Sequence, residues 1–313
     1  MRFSSPRPRA LALLLAGAAL TLSPLAGQAS AKQPVDNLRN PCFTPQGGAT
    51  ARGGFGPDTT QLTAAQQRVI EAASDRLYAV KQRQGLAPSA GRLAAAEVPV
   101  YVHVMRSNSG AGDVTDNQIS RQIDVLNKTF AGQESSQATN TGFRFRLSGT
   151  YRYNNDTWHT DGQSTTYRSQ TRKGGKNALN IWLVDFDYLG IATFPWEYSN
   201  TPKIDGIRVL YNSLPGGSST NFNLGETATH EAGHWFGLYH TFQGGCTDTN
   251  DEVSDTPAQS SASSGCPEGR NSCSLPGNDP IHNYMDYSYD SCYNQFTAGQ
   301  SSRISKMWTS YRA

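Results

Sequence analysis

Three of the chain's six histidines fall within eleven consecutive residues, His230-Glu231-Ala232-Gly233-His234-Trp235-Phe236-Gly237-Leu238-Tyr239-His240. Residues four apart share one face of an α-helix, so His230 and His234 present their imidazoles side by side. Glu231 is rotated by about 100° and stands next to whatever those rings hold. A straight helix would carry residue 240 too far along its axis to join them. Gly237 removes that obstacle, because glycine takes a left-handed conformation and ends a helix abruptly. The chain can then turn back and present His240. Three imidazoles at one point suit a zinc ion whose fourth position stays open to water, whereas structural zinc is closed by four protein ligands. Glu231 is placed to act as general base. The five fixed positions should coincide by chance in on the order of one in 100,000 chains of this composition, so incidental histidines on an exposed helix are a poor account of them. At the helix start, Asn223 is read as the N-cap, with Glu226 three residues on in a capping-box-like arrangement.

The remaining pattern predicts an α/β (α+β) domain. Leu62, Val69, Ile70, Ala73, Leu77 and Val80 recur at helical spacing, and the linker Gly85 to Glu97 follows. Val98, Val100, Val102 and Val104 then alternate as in a strand, with His103 read as a packed residue on the opposite face. Ile119, Ile123, Leu126 and Phe130 make a helix face. Further strands are predicted over 143–153, 179–184, 190–196 and 207–211, and a last helix over Gly299 to Tyr311. Strand, helix, several strands and then the histidine-bearing helix describe a mixed sheet covered by helices. His159 is expected to be exposed in a polar loop, and His282 to be structural.

Downstream, Asn283-Tyr284-Met285-Asp286-Tyr287 has the form of a turn with a methionine. With the long histidine motif it resembles the metzincins, zinc peptidases in which such a methionine floors the metal site. The closer resemblance is to the pappalysin branch and covers about residues 98 to 313. It is carried by Leu179-Asn180-Ile181-Trp182-Leu183-Val184, Ala192-Thr193-Phe194-Pro195-Trp196, Leu214-Pro215-Gly216-Gly217, His240-Thr241-Phe242-Gln243-Gly244-Gly245-Cys246, Asp255-Thr256-Pro257 and the 279–287 segment. The resemblance implies a metzincin catalytic domain with a twisted mixed sheet, an active-site helix and a loop-rich, disulfide-bonded C-terminal subdomain. It implies endopeptidase activity on proteins or peptides, Met285 as the floor, and Tyr287 as a hydrogen-bond donor to the tetrahedral oxyanion. The 190–196 strand resembles the metzincin edge strand and would pair with extended substrate. The competing readings are a zinc peptidase with a downstream glutamate ligand, a non-catalytic metal-binding or adhesion module, and a disulfide-rich inhibitor. His240 at its spacing and Glu231 argue against them.

Arg2, Arg7 and Arg9 precede an apolar run from Ala10 to Leu22, and Ala29-Ser30-Ala31 ends in small residues. This is the form of a signal peptide over 1–31, too short for a membrane span of about 20 residues, so a secreted protein is expected with no membrane association after cleavage. Residues 32–92 are read as a pro-segment and 93–313 as the catalytic domain. A net charge of +2 without a basic block argues against a nucleic-acid partner. In an oxidising compartment Cys246, Cys266, Cys273 and Cys292 read as two disulfides, with three connectivities open. The family resemblance favours Cys246 with Cys273 and Cys266 with Cys292. Cys42 is then left over; a thiolate can occupy an open zinc position, so Cys42 is read as a latency ligand, the alternatives being a free pro-region cysteine or one that links two chains. Asp248, Asp251, Glu252 and Asp255 crowd the loop after His240 and are read as a calcium site, as in some pappalysin-like enzymes.

Overall fold

The computed structural model describes residues 62–89 and 92–313. The expected signal peptide and Cys42 lie outside the described residues. In chain order the elements are α1 (Ala64–Arg83), β1 (Ala96–Arg106), α2 (Asp116–Phe130), β2 (Phe143–Asn154), the short helices α3 (Asp156–His159) and α4 (Ser164–Thr171), β3 (Leu179–Val184), β4 (Gly190–Ala192), β5 (Ile207–Leu210), α5 (Glu226–Trp235) and α6 (Ala298–Met307).

The strands form one sheet in the order β2-β1-β3-β5-β4. All neighbours are parallel except β4, which runs antiparallel to β5 at the edge. Parallel strands lie between layers and are buried on both faces, and every residue of β3 and β5 is buried. The valines of β1 face α2 and α5, joining Ile119, Ile123, Leu126, Phe130, Ala228, Ala232 and Trp235 in one apolar core. On the other face His103 stacks between Tyr151 and Trp182 and bonds Asn180. Burial pushes its pKa down to about 4, so the ring is neutral packing.

Four expectations are corrected. The edge strand stops at Ala192, not Trp196, and Pro195 opens a short 3-10 turn instead, because proline has no N–H to give a ladder. The last helix ends at Met307 and continues as a wider π-helical turn, Trp308–Arg312. His159 is buried, its Nδ1 2.9 Å from the Met105 carbonyl. The loop closes over the ring because Gly112 has no side chain to collide with it. In α1, Val69, Leu77 and Val80 are 68%, 41% and 38% exposed, and the buried residues are Gln67, Ile70 and Ser74. The helix is rotated so that Glu71 meets Arg303. A buried arginine needs a carboxylate more than the surface needs three fewer apolar side chains.

Candidate active site

Helix α5 carries the histidine motif, and both of its ends are held by distant chain. At the start, Asn223 does not cap it; its Nδ2 donates to the Gly217 carbonyl. The N-cap is Gly225 at φ +100°, which brings no side-chain cap of its own. Asp290 supplies one from across the domain, its Oδ2 accepting from the Leu224 nitrogen at 2.8 Å and the Glu226 nitrogen at 3.4 Å. Glu226 is buried, and its pKa is pushed well up by burial and then by the charges of Glu134 and Asp290. Burial likewise lifts Asp290 to about 7, against the backbone donors that pull it down. At the other end, the Gly237 N–H bonds the His234 carbonyl and the Leu238 N–H bonds the Gly233 carbonyl, with Gly237 at φ +100°. This is the Schellman stop expected of glycine. Arg312 completes the end, its Nε donating to the Trp235 carbonyl while its guanidinium pairs with buried Asp205. A carboxyl acceptor thus satisfies the free N–H groups at the N-terminus, and the Arg312 cation at the C-terminus complements the helix dipole.

The turn after Gly237 brings His240 back to His230 and His234. The Nε2 of His234 lies 3.1 Å from that of His230 and 3.1 Å from that of His240. Two nitrogens on one tetrahedral zinc, each at about 2.05 Å, would lie about 3.3 Å apart. His230 Nδ1 is 2.6 Å from the Tyr284 carbonyl and His234 Nδ1 is 2.8 Å from the Leu238 carbonyl. A carbonyl requires the proton on Nδ1, which leaves Nε2 as a lone-pair donor. Burial lowers the pKa of all three rings, His230 to about 4. The trio is therefore a set of neutral, convergent donors that fits one metal ion.

Met285 packs against α5 at Gly233. A Cβ on Gly233 would overlap its sulfur, so glycine in the motif admits the methionine. Tyr287 stands beside the site, its ring centroid 4.9 Å from that of His240 and 5.8 Å from that of His230. Glu231 is fully buried and lines a small cleft with Thr227, His230, Asp290 and Tyr293. Gly190 at the start of β4 abuts its carboxyl group.

Disulfides join Cys246 to Cys273 and Cys266 to Cys292, tying the loop after His240 to the segment around Met285. His282 bonds the Cys292 carbonyl. The acidic loop is dispersed. Asp255 accepts from Thr297 and the Gly299 nitrogen at the start of α6, and Asp248 is exposed. Among the described residues these two do not join Asp251 in a metal-sized group. Asp251 is buried, and its Oδ2 has no hydrogen-bond partner. Asp290, Arg312 and Gly190 carried no signal in the sequence, since their roles depend on partners far along the chain.

The chain is similar to several known proteins. The family model described as pregnancy-associated plasma protein-A matches residues 184–309. An extracellular metalloprotease of Sordaria macrospora is 50% identical over 228 residues, covering 70% of this chain and 77% of the relative. One of Colletotrichum graminicola is 43% identical over 273 residues, covering 85% and 93%. Among solved structures, mirolysin in complex with compound 9 superposes with TM-score 0.61 at 32% identity, covering 69% of this chain and 92% of that one. A Tannerella forsythia promirolysin mutant gives 0.64 at 29%, covering 80% and 93%. No helix among the described residues is long and apolar enough to cross a membrane. A non-catalytic binding module is not favoured by these relatives, and the chain belongs to the pappalysin family of metzincin metalloendopeptidases.

Proposed function

We propose that the protein is an exported zinc endopeptidase in which His230, His234 and His240 hold the metal and Glu231 is the general base. The convergence of the three Nε2 atoms beside a buried glutamate carries this reading. Zinc, when bound, supplies Lewis acidity to the scissile carbonyl and to the attacking water. Glu231 takes the proton of that water and delivers it to the leaving amine. Tyr287 donates a hydrogen bond to the developing oxyanion. The edge strand β4 pairs with extended substrate through its open side, so main-chain bonding dominates and many sequences are cleaved.

Export rests on the N-terminal signal pattern and agrees with the naming of the relatives as extracellular. Residues 32–92 are read as the pro-segment and Cys42 as its latency ligand, a role favoured by the pairing of the other four cysteines with one another. A calcium ion in the loop after His240 would rest on Asp251 alone of the three carboxylates, since Asp255 is engaged at the start of α6 and Asp248 is exposed. Calcium should then raise the melting temperature of the wild type but not of Asp251→Asn. The decisive experiment is casein digestion with a zinc chelator and with zinc restored, run beside Glu231→Gln. The chelator should abolish cleavage and zinc should return it. Glu231→Gln should keep fold and metal while losing about 10²- to 10⁴-fold in turnover. Chelator-resistant cleavage would refute the metal role, and near-normal turnover in the variant would refute the base.

A further inference from the structure

Helix α1 lies in the region read as pro-segment, yet it reaches the turn that presents His240. Arg303 of α6 is the link. Its Nη1 donates to Glu71 Oε2 at 2.9 Å and its Nη2 to Glu71 Oε1 at 2.6 Å, a two-pronged pair inside the protein. Its Nε donates to the Gly237 carbonyl at 2.9 Å, and its guanidinium lies 4.5 Å from the Tyr239 ring centroid. The Tyr239 hydroxyl donates back to Glu71 Oε1 at 3.1 Å. Arg303 and Tyr239 are both buried. Glu71 and Arg303 thus grip both Gly237, which ends α5, and Tyr239, which immediately precedes His240.

The rest of α1 is fastened to the same place. Leu62 and Ile70 pack with Phe194, Trp196, Tyr239 and Met307. The Leu62 carbonyl accepts from Gln243 at 2.7 Å, and the Ser74 and Tyr311 hydroxyls are 2.8 Å apart. Phe194 in turn lies edge-on to His234, ring centroids 5.3 Å apart. Removing α1 would strip Arg303 of its paired carboxylate while leaving the guanidinium against the His240 turn. Breaking a buried pair by removing one partner is strongly destabilising, because an uncompensated charge remains.

We infer that α1 is a working part of the active enzyme, and that Glu71 is a positioning residue which, through Arg303 and Tyr239, fixes the Gly237–His240 turn and hence the third metal ligand. The inference rests on the proposed metal role of His240. Residues upstream of Leu62 can be released on maturation, but α1 stays with the catalytic domain.

The test uses the full chain, matured to its active form, as wild type, Glu71→Gln, Tyr239→Phe and Asp75→Ala. Asp75 lies one turn beyond Glu71 and, among the described residues, forms an ion pair with Lys306 and none with Arg303, so it controls for loss of a charge on α1. Intact mass of the active form should show α1 retained. Glu71→Gln should lose zinc to a competing chelator about tenfold faster and lose about tenfold in kcat, the usual scale for groups that orient a metal ligand. Its KM should stay within about twofold. Tyr239→Phe should move both readouts the same way by less, and Asp75→Ala should match wild type. Should Glu71→Gln fail to fold, Tyr239→Phe carries the test. An active enzyme that has shed α1, or Glu71 and Tyr239 variants with wild-type zinc retention and kcat, would overturn the inference alone. An inactive, metal-free wild type would overturn the reading of the site and this inference with it.

Discussion

Gly190 and Glu231 occupy adjoining space that only a bare Cα leaves open, since a Cβ at position 190 would overlap the Cγ, Cδ and Oε1 of Glu231. The first residue of the edge strand therefore sets where the proposed base rests. Gly190→Ala should displace the carboxylate while leaving the histidines untouched. A misplacement of about 1 Å can cost about 10²-fold in rate, so kcat should fall on that scale with bound metal retained. Steady-state kinetics and metal analysis on one preparation check this. An unchanged kcat would mean that Glu231 works from another position.

Asp290 caps α5 from 64 residues away, measured from Glu226. Asp290→Ala leaves the Leu224 and Glu226 N–H groups without their acceptor, and a buried donor left unsatisfied costs about 1–3 kcal/mol. Asp290→Asn keeps an acceptor oxygen and should recover most of that loss. Urea unfolding of the two variants decides it; equal stability of Ala and wild type would show that the cap contributes nothing.

Tyr287 packs against His240 and Phe242 with ring centroids 4.9 and 5.0 Å away. A structural tyrosine and an oxyanion donor would both pack this way, and kinetics separate them. Tyr287→Phe should lower kcat by about 10²- to 10³-fold with little change in KM if the hydroxyl serves the oxyanion. Wild-type kcat would assign the ring to packing.

Acid should loosen α1 before it unfolds the sheet. Burial raises the Glu71 pKa, but the bonds and charge of Arg303, the charge of Lys306 and the Tyr239 hydroxyl outweigh it, and the net value lies below the ordinary 4.5. Glu252 faces the same cluster. A carboxylate depressed on folding contributes stability above its unfolded pKa, and that contribution is lost as pH falls through the folded value. The protection of α1 amides, taken relative to their intrinsic exchange at each pH, should therefore fall below about pH 4.5, and in Glu71→Gln this fall should vanish. Protection that does not vary with pH in the wild type would remove Glu71 as the source.

The sequence by itself determined what short-range geometry dictates. His230 and His234 share a helix face because of the 3.6-residue period, Gly237 ends that helix because only glycine takes its left-handed turn without strain, and the β1 valines point to one layer because side chains alternate. Each of these relations closes within about ten residues, so a local pattern records it. What holds the motif in place was decided only by the tertiary structure. Asp290 replaced the expected Asn223 cap, Arg312 closed the far end of α5, and Gly190 cleared space for Glu231. Three connectivities were open to the four C-terminal cysteines, and folding selects one of them. The rotation of α1 followed from Arg303, 232 residues away from Glu71, and not from its own apolar spacing. A buried charge or orphaned N–H must find a partner wherever the packed chain supplies one, and neither the identity nor the distance of that partner leaves a period in the sequence.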